Sequence, residues 1–216
     1  MSEKPVVHGV NASPFVRKVR VALAEKAIDY DQVPQMPMGQ PAEYYEISPL
    51  GKIPCYVEGD FALPDSSAII AYLEKKQPEP HLYPQDARAF GRALWYEEYA
   101  DTKLMDTVAG VFFNRVVKAK MMKQEPDEAR VQECLEALPT LFDYLEKEIG
   151  DREVLAGSHF SVADIAVGSV FVNLAHAGET VDAARWPKLA AYLERVHARP
   201  SFKALIEEEK AAFAAL

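Results

Sequence analysis

Basic residues are scarce in this chain. Across 216 residues, Lys and Arg number 24 against 33 Asp and Glu, which leaves a formal charge of −9. Binding phosphate backbones takes clustered Lys and Arg, so nucleic acid is not the expected partner. Cysteine is scarcer still: Cys55 and Cys134 lie far apart and in no CxxC pair. That excludes a disulfide framework and gives no metal-ligand spacing, and it suits a reducing cytosol. Long apolar runs are missing too. The longest uncharged stretch, Ile165 to Gly178, follows an Asp and falls short of the ~20 residues that span a bilayer, so no membrane partner is expected. Met-Ser-Glu-Lys-Pro passes directly into Val6–Val7, without the apolar core or cleavage site of a signal peptide. No internal repeat or low-complexity segment occurs. What is present is ordinary globular usage, 49% apolar and 26% charged, enough to build a core and to exclude whole-chain disorder. The length fits one large domain or two small ones.

The pattern changes near residue 78. Before it, Pro5–Val10 and Ile28–Val33 read as strands. Pro14–Ala27 reads as a helix with Val16, Val19 and Leu23 on one face, and Pro41–Ile47 as a short helix. Ile53–Val57 and Phe61–Leu63 read as a hairpin around Glu58-Gly59-Asp60, and Asp65–Gln77 as a helix. The order β-α-β-α-β-β-α predicts a small α/β layer fold. After Pro78, Pro80 and Pro84 the signal is helical throughout: Asp86–Lys120, Asp127–Ile149, Ser161–His176, Trp186–His197 and Ser201–Ala214. Pro139 is expected to kink or break the second tract. This predicts a domain over residues 1–78, a linker over 79–85 and an all-helical domain over 86–216. Charge divides unevenly, with 8 basic and 10 acidic residues through position 78 and 16 against 23 beyond it.

Four stretches carry candidate chemistry. In Asn11-Ala12-Ser13-Pro14-Phe15-Val16-Arg17, Ser stands at an N-cap and Pro at the first helical position. Ser13 can simply cap the helix. It can also donate to an anion, such as a thiolate, beside the positive helix end. In Ser48-Pro49-Leu50-Gly51-Lys52-Ile53-Pro54-Cys55, Pro54 opens a strand without supplying an N–H. Its peptide bond is trans by default. A cis bond would turn the preceding backbone toward a peptide ligand. In Leu63-Pro64-Asp65-Ser66-Ser67-Ala68, Asp65 and Ser66 open a helix, either as caps or as a site for an amino-acid head group. Ser161-Val162-Ala163-Asp164, between Phe160 and Ile165, is a capping box with a hydrophobic staple and reads as structural.

Taken together, these motifs resemble the cytosolic glutathione transferases over nearly the whole chain. The opening Ser-Pro-Phe-x-x-x-Val-Arg-x-Ala-Leu is most similar to the serine-type, tau-like and bacterial branches. The resemblance implies a thioredoxin-like N-terminal domain, an all-helical C-terminal domain, a cleft between them and a homodimer. It implies a cytoplasmic detoxification enzyme conjugating glutathione to small hydrophobic electrophiles, with glutathione as co-substrate and no metal or other cofactor; the alternatives are another glutathione-dependent reaction in the same site (isomerase, dehalogenase or peroxidase) and a non-catalytic interaction protein of the same fold. Ser13 aligns with the catalytic hydroxyl, Ile53 with the residue whose backbone pairs with the cysteinyl unit, and Pro54 with a cis proline. Lys52 matches a position that contacts the glycyl end. Asp65 and Ser66 match the pair that holds the γ-glutamyl group, although Glu or Gln is usual at position 65. Asp101 resembles an acidic residue that reaches the neighbouring subunit's glutathione in some classes. Val10, Phe15, Val108, Phe112 and Phe113 are candidate linings of the electrophile pocket, or core. Arg17 either adds positive potential or is a solvated or interdomain charge. Elimination supports the serine type: the first tyrosine is Tyr30 and the first cysteine Cys55, both too late for the other activators, with Asn11 as a helper or substitute for Ser13.

Overall fold

The computed structural model describes residues 4–214, which form two compact units meeting in sequence at Tyr83 and Pro84. The first unit runs β1 (Val6–His8), α1 (Pro14–Glu25), β2 (Asp31–Val33), α2 (Tyr44–Ile47), β3 (Cys55–Glu58), β4 (Phe61–Pro64) and α3 (Ser66–Lys76). Its sheet has the order β2-β1-β3-β4. β1 runs parallel to β2 and antiparallel to β3, and β4 runs antiparallel to β3. This is the mixed sheet of a thioredoxin-like domain. Its core comprises Val7, Val16, Val19, Leu23, Tyr56, Ile69, Ile70 and Leu73, all fully buried.

The strands are shorter than the sequence suggests, for local reasons. Gly9 ends β1 at φ +155°, where a Cβ would stand 2.4 Å from Val16 Cγ2. Only glycine fits the sheet this closely against α1. At the far end of α1, Ala27 takes φ +52° and the Ile28 N–H donates to Leu23 O at 2.9 Å. Residues 27 and 28 therefore belong to the helix exit, and β2 begins only at Asp31. Lys26 closes the other side of this unit. Its fully buried ammonium donates to Gln77 O (2.7 Å) and Pro80 O (2.9 Å) and pairs with Glu74 (2.8 Å).

The second unit is helical: α4 (Ala87–Tyr99), α5 (Met105–Phe112), α6 (Glu128–Ile149), α7 (Val162–His176), α8 (Pro187–Ala198) and α9 (Pro200–Ala214). π-helical segments at Ala100–Leu104 and Phe113–Met121 join and extend α4 and α5 into one long rod. The expected break at Pro139 does not occur, and α6 runs unbroken through it. Proline there deprives the Leu135 carbonyl of its N–H partner. Buried anchors on both sides, Val131, Cys134 and Leu138 before and Leu141, Phe142 and Leu145 after, hold the helix together regardless. Leu135, one turn before Pro139, is half-buried.

α7 is the buried axis of this unit, with every residue from Val162 to Asn173 buried. Its start is fixed by Asp164. That carboxylate accepts the N–H groups of Leu155 and Ser161 (both 2.9 Å) and the hydroxyls of Ser161 (3.2 Å) and Tyr192 (2.9 Å). Burial pushes Asp164 above the usual carboxylate value, and these donors oppose that rise. No helix among the described residues is long and apolar enough to cross a membrane.

Candidate functional site

One row of paired residues crosses the sheet of the first unit. Val33 pairs with His8, His8 with Cys55, and Cys55 with Pro64. The candidate segments of this unit leave the sheet at that row. Residues 9–13 follow His8, Pro54 precedes Cys55, and Asp65 follows Pro64. α1 and α3 both begin here, so two positive dipole ends share one end of the sheet.

Ser13 sits at the head of α1 with extended backbone (φ −74°, ψ 123°). Its Oγ accepts the Val16 N–H at a long 3.4 Å, and its own N–H closes a turn on Val10 O at 3.1 Å. Capping uses an oxygen lone pair, which leaves the O–H as a donor. The capping and functional readings of Ser13 are therefore compatible.

The Ile53–Pro54 bond is cis, where X–Pro bonds in general are trans by default. The chain before it is tied down by residues the sequence reading did not single out. Lys52 O accepts the hydroxyls of Tyr44 (2.9 Å) and Ser48 (2.8 Å), and Gly51 O accepts Gln40 Nε2 (2.9 Å). Burial pushes the Tyr44 phenol up to about 12, so it stays a donor. The Lys52 side chain is exposed while Ile53 and Pro54 are buried. Cys55, next in the chain, is fully buried and donates to Ile47 O at 3.2 Å. Burial holds its thiol up at about 11, far from thiolate character.

Asp65 takes φ +79°, ψ 124°, a conformation L-residues rarely adopt. Oδ1 accepts the N–H groups of Ser67 and Ala68, both at 3.0 Å. Asp65 is exposed, and Ser66, the first residue of α3, is buried. Beneath them, the buried Lys18 donates from Nζ to Ser67 Oγ at 3.2 Å, linking α1 to the head of α3.

The remaining candidates divide between the units. Val10 and Phe15 are half-buried in the first. Val108 and Phe112 are buried in the second, where the Phe112 ring stands edge-on to Phe213 at 6.2 Å. Phe113 is partly exposed. Asp101 is half-buried on the first π-helical segment. Arg17 is fully buried, which removes the solvated reading. The helical unit also holds a cavity of about 190 Å³ walled by Phe171, Leu174, Val181 and Leu193, which none of the candidates lines.

Comparison with known proteins bears directly on this geometry. Residues 7–81 match the N-terminal domain of glutathione S-transferases, and residues 104–200 match their C-terminal domain. A glutathione S-transferase theta-1 of Bos taurus is 32% identical over 157 residues, 72% of this chain and 65% of that protein. The chain thus matches slightly less than two thirds of this relative's length. FtsZ-localized protein A of Caulobacter vibrioides is 24% identical over 96% of the chain and 93% of its own length. Among solved structures, a glutathione S-transferase from Methylobacterium radiotolerans in complex with glutathione sulfonate superposes with a TM-score of 0.77 at 29% identity, covering 94% of each chain. The two family matches together span most of the sequence and fall within the sheet unit and the helical unit respectively: the chain belongs to the glutathione S-transferase family.

Proposed function

We propose that this protein binds glutathione and conjugates its thiolate to small hydrophobic electrophiles, with the Ser13 hydroxyl donating to the sulfur. The observation that carries this reading is the convergence at one end of the sheet of the Ser13 turn, the Lys52–Pro54 segment and the Asp65–Ser66 helix start. In this reading the Ile53 backbone pairs with the cysteinyl unit, beside Pro54. Lys52 meets the glycyl carboxylate. Asp65, whose Oδ1 caps α3, offers its carboxylate to the γ-glutamyl ammonium, while Ser66, at the positive end of α3, takes that unit's carboxylate.

The chemistry then follows from protonation. A free thiol with pKa of about 8.5 is only about 3% thiolate at pH ~7. One hydrogen bond to the charged form, about 1.5–3 kcal/mol, lowers that pKa by about one to two units. The dipole of α1 acts in the same direction. The sulfur attacks the electrophilic carbon, an S–C bond forms, and the leaving group departs with its electron pair. Val10 and Phe15, half-buried at the head of α1, are the proposed start of the electrophile pocket; Val108, fully buried in the helical unit, belongs to its core. Glutathione is consumed as co-substrate, and a homodimer is the proposed assembly. The test is conjugation of glutathione to chlorodinitrobenzene by the purified protein. Ser13→Ala should lose most of that activity while binding glutathione nearly as before, and full activity in the variant would refute the mechanism.

A second reading is a non-catalytic interaction protein on the same fold. It is favoured by the near full-length match to FtsZ-localized protein A. Calorimetry separates the two, because the absence of glutathione binding at millimolar concentrations would support the second.

A further inference from the structure

Gln32 is the middle residue of β2, a three-residue edge strand whose neighbours Asp31 and Val33 are exposed. A polar residue there would ordinarily face solvent. Instead Gln32 reaches into the turn between β1 and α1, where its Nε2 lies 2.9 Å from Gly9 O and 2.6 Å from Asn11 Oδ1. These two contacts settle the orientation of both amides. A backbone carbonyl only accepts, so the group of Gln32 facing Gly9 is its NH2. The same NH2 faces Asn11, which must therefore present its oxygen. The Asn11 carboxamide is planar, so its own NH2 faces a different direction from the oxygen that meets Gln32.

Asn11 stands two residues before Ser13 in the turn closed by the Ser13 N–H on Val10 O. Support of the backbone alone would be met by the bond to Gly9 O. The bond to Asn11 adds nothing to the backbone and fixes a half-buried side chain in one orientation. We infer that Gln32 is a positioning residue for the thiolate site: it holds the Asn11 amide so that its N–H is a second donor to the glutathione sulfur, beside the Ser13 O–H. The inference rests on the glutathione reading above. A thiolate accepts more than one hydrogen bond, and an amide held in place gives its bond without reorganising.

The test compares Asn11→Ala, Gln32→Met and the double variant with the parent. Met keeps the bulk of Gln32 and removes its donors. The readout is the pH profile of kcat/KM for conjugation, with KM for glutathione and a thermal melt measured alongside. Each single variant should shift the thiol limb upward by about one unit, with about tenfold less activity below that limb and KM within about twofold. The double variant should match either single, because Gln32 acts through Asn11. An unmoved profile in Asn11→Ala, which leaves the Gly9 bond intact, would overturn the inference. So would a shift in Asn11→Ala without one in a folded Gln32→Met, or additive shifts in the double. A parent protein that neither binds nor ionises glutathione would instead fail at the earlier reading and take this one with it.

Discussion

Asp65 carries two demands on one side chain. It caps α3 through Oδ1 from a backbone conformation that disfavours any residue with a Cβ. It also carries the charge proposed to meet an ammonium. Asp65→Asn separates these roles, since an amide oxygen still caps. The melting temperature should hold while glutathione affinity, measured by calorimetry, falls by about ten- to a hundredfold, the loss of one charge-assisted bond. Equal loss of stability and affinity would assign Asp65 to the cap alone. The sequence makes the cap legible, because Asp-Ser-Ser-Ala opens a helical pattern. It does not make the positive φ legible, because that follows from where β4 ends. Tyr44, Ser48 and Gln40 were illegible for a related reason. Their bonds to Lys52 O and Gly51 O depend on how loops close, and no local pattern marks them.

Helix caps were readable at the scale of elements, because S-x-x-D before an apolar run specifies its own partners. The structure adds that Asp164 also binds the Leu155 N–H and the Tyr192 hydroxyl, joining the loop before α7 to α8. Asp164→Ala strands several buried donors and should cost at least about 3 kcal/mol in denaturant melts. On the sheet unit, Glu58 accepts from Tyr56 (3.1 Å), Tyr72 (3.0 Å) and Lys76. The bond from Lys76 foremost, with the tyrosine hydroxyls, holds its carboxyl below the ordinary value. A carboxylate with a depressed folded pKa stabilises above its unfolded pKa, and that contribution is lost as pH falls through the folded value. Glu58→Gln should therefore reduce stability at neutral pH and flatten its decline with acid. An unchanged acid limb in pH-dependent melts would contradict this. The unbroken α6 shows the limit of local rules: Pro139 is unfavourable in itself, and the buried residues around it outweigh it.

For the whole molecule, the change from mixed to purely helical periodicity marks two architectures, and the observed units meet at Tyr83 and Pro84. The acidic balance excludes some partners without describing the candidate site, where Lys52 and two helix N-termini meet. α4 exposes Phe90, Leu94 and Trp95, at 40%, 40% and 48%. If this face serves the proposed homodimer, Leu94→Glu should move sedimentation from dimer toward monomer. Unchanged sedimentation would place the contact elsewhere or exclude it. The central claim concerns one proton. Titrating the thiol of protein-bound glutathione by its ultraviolet thiolate absorption, in the parent and in Ser13→Ala, tests it most directly. The account predicts a bound thiol about one to two units below its free value of about 8.5 in the parent, returning most of the way in the variant. An undepressed thiol in the parent, or the same depression in both proteins, would contradict it.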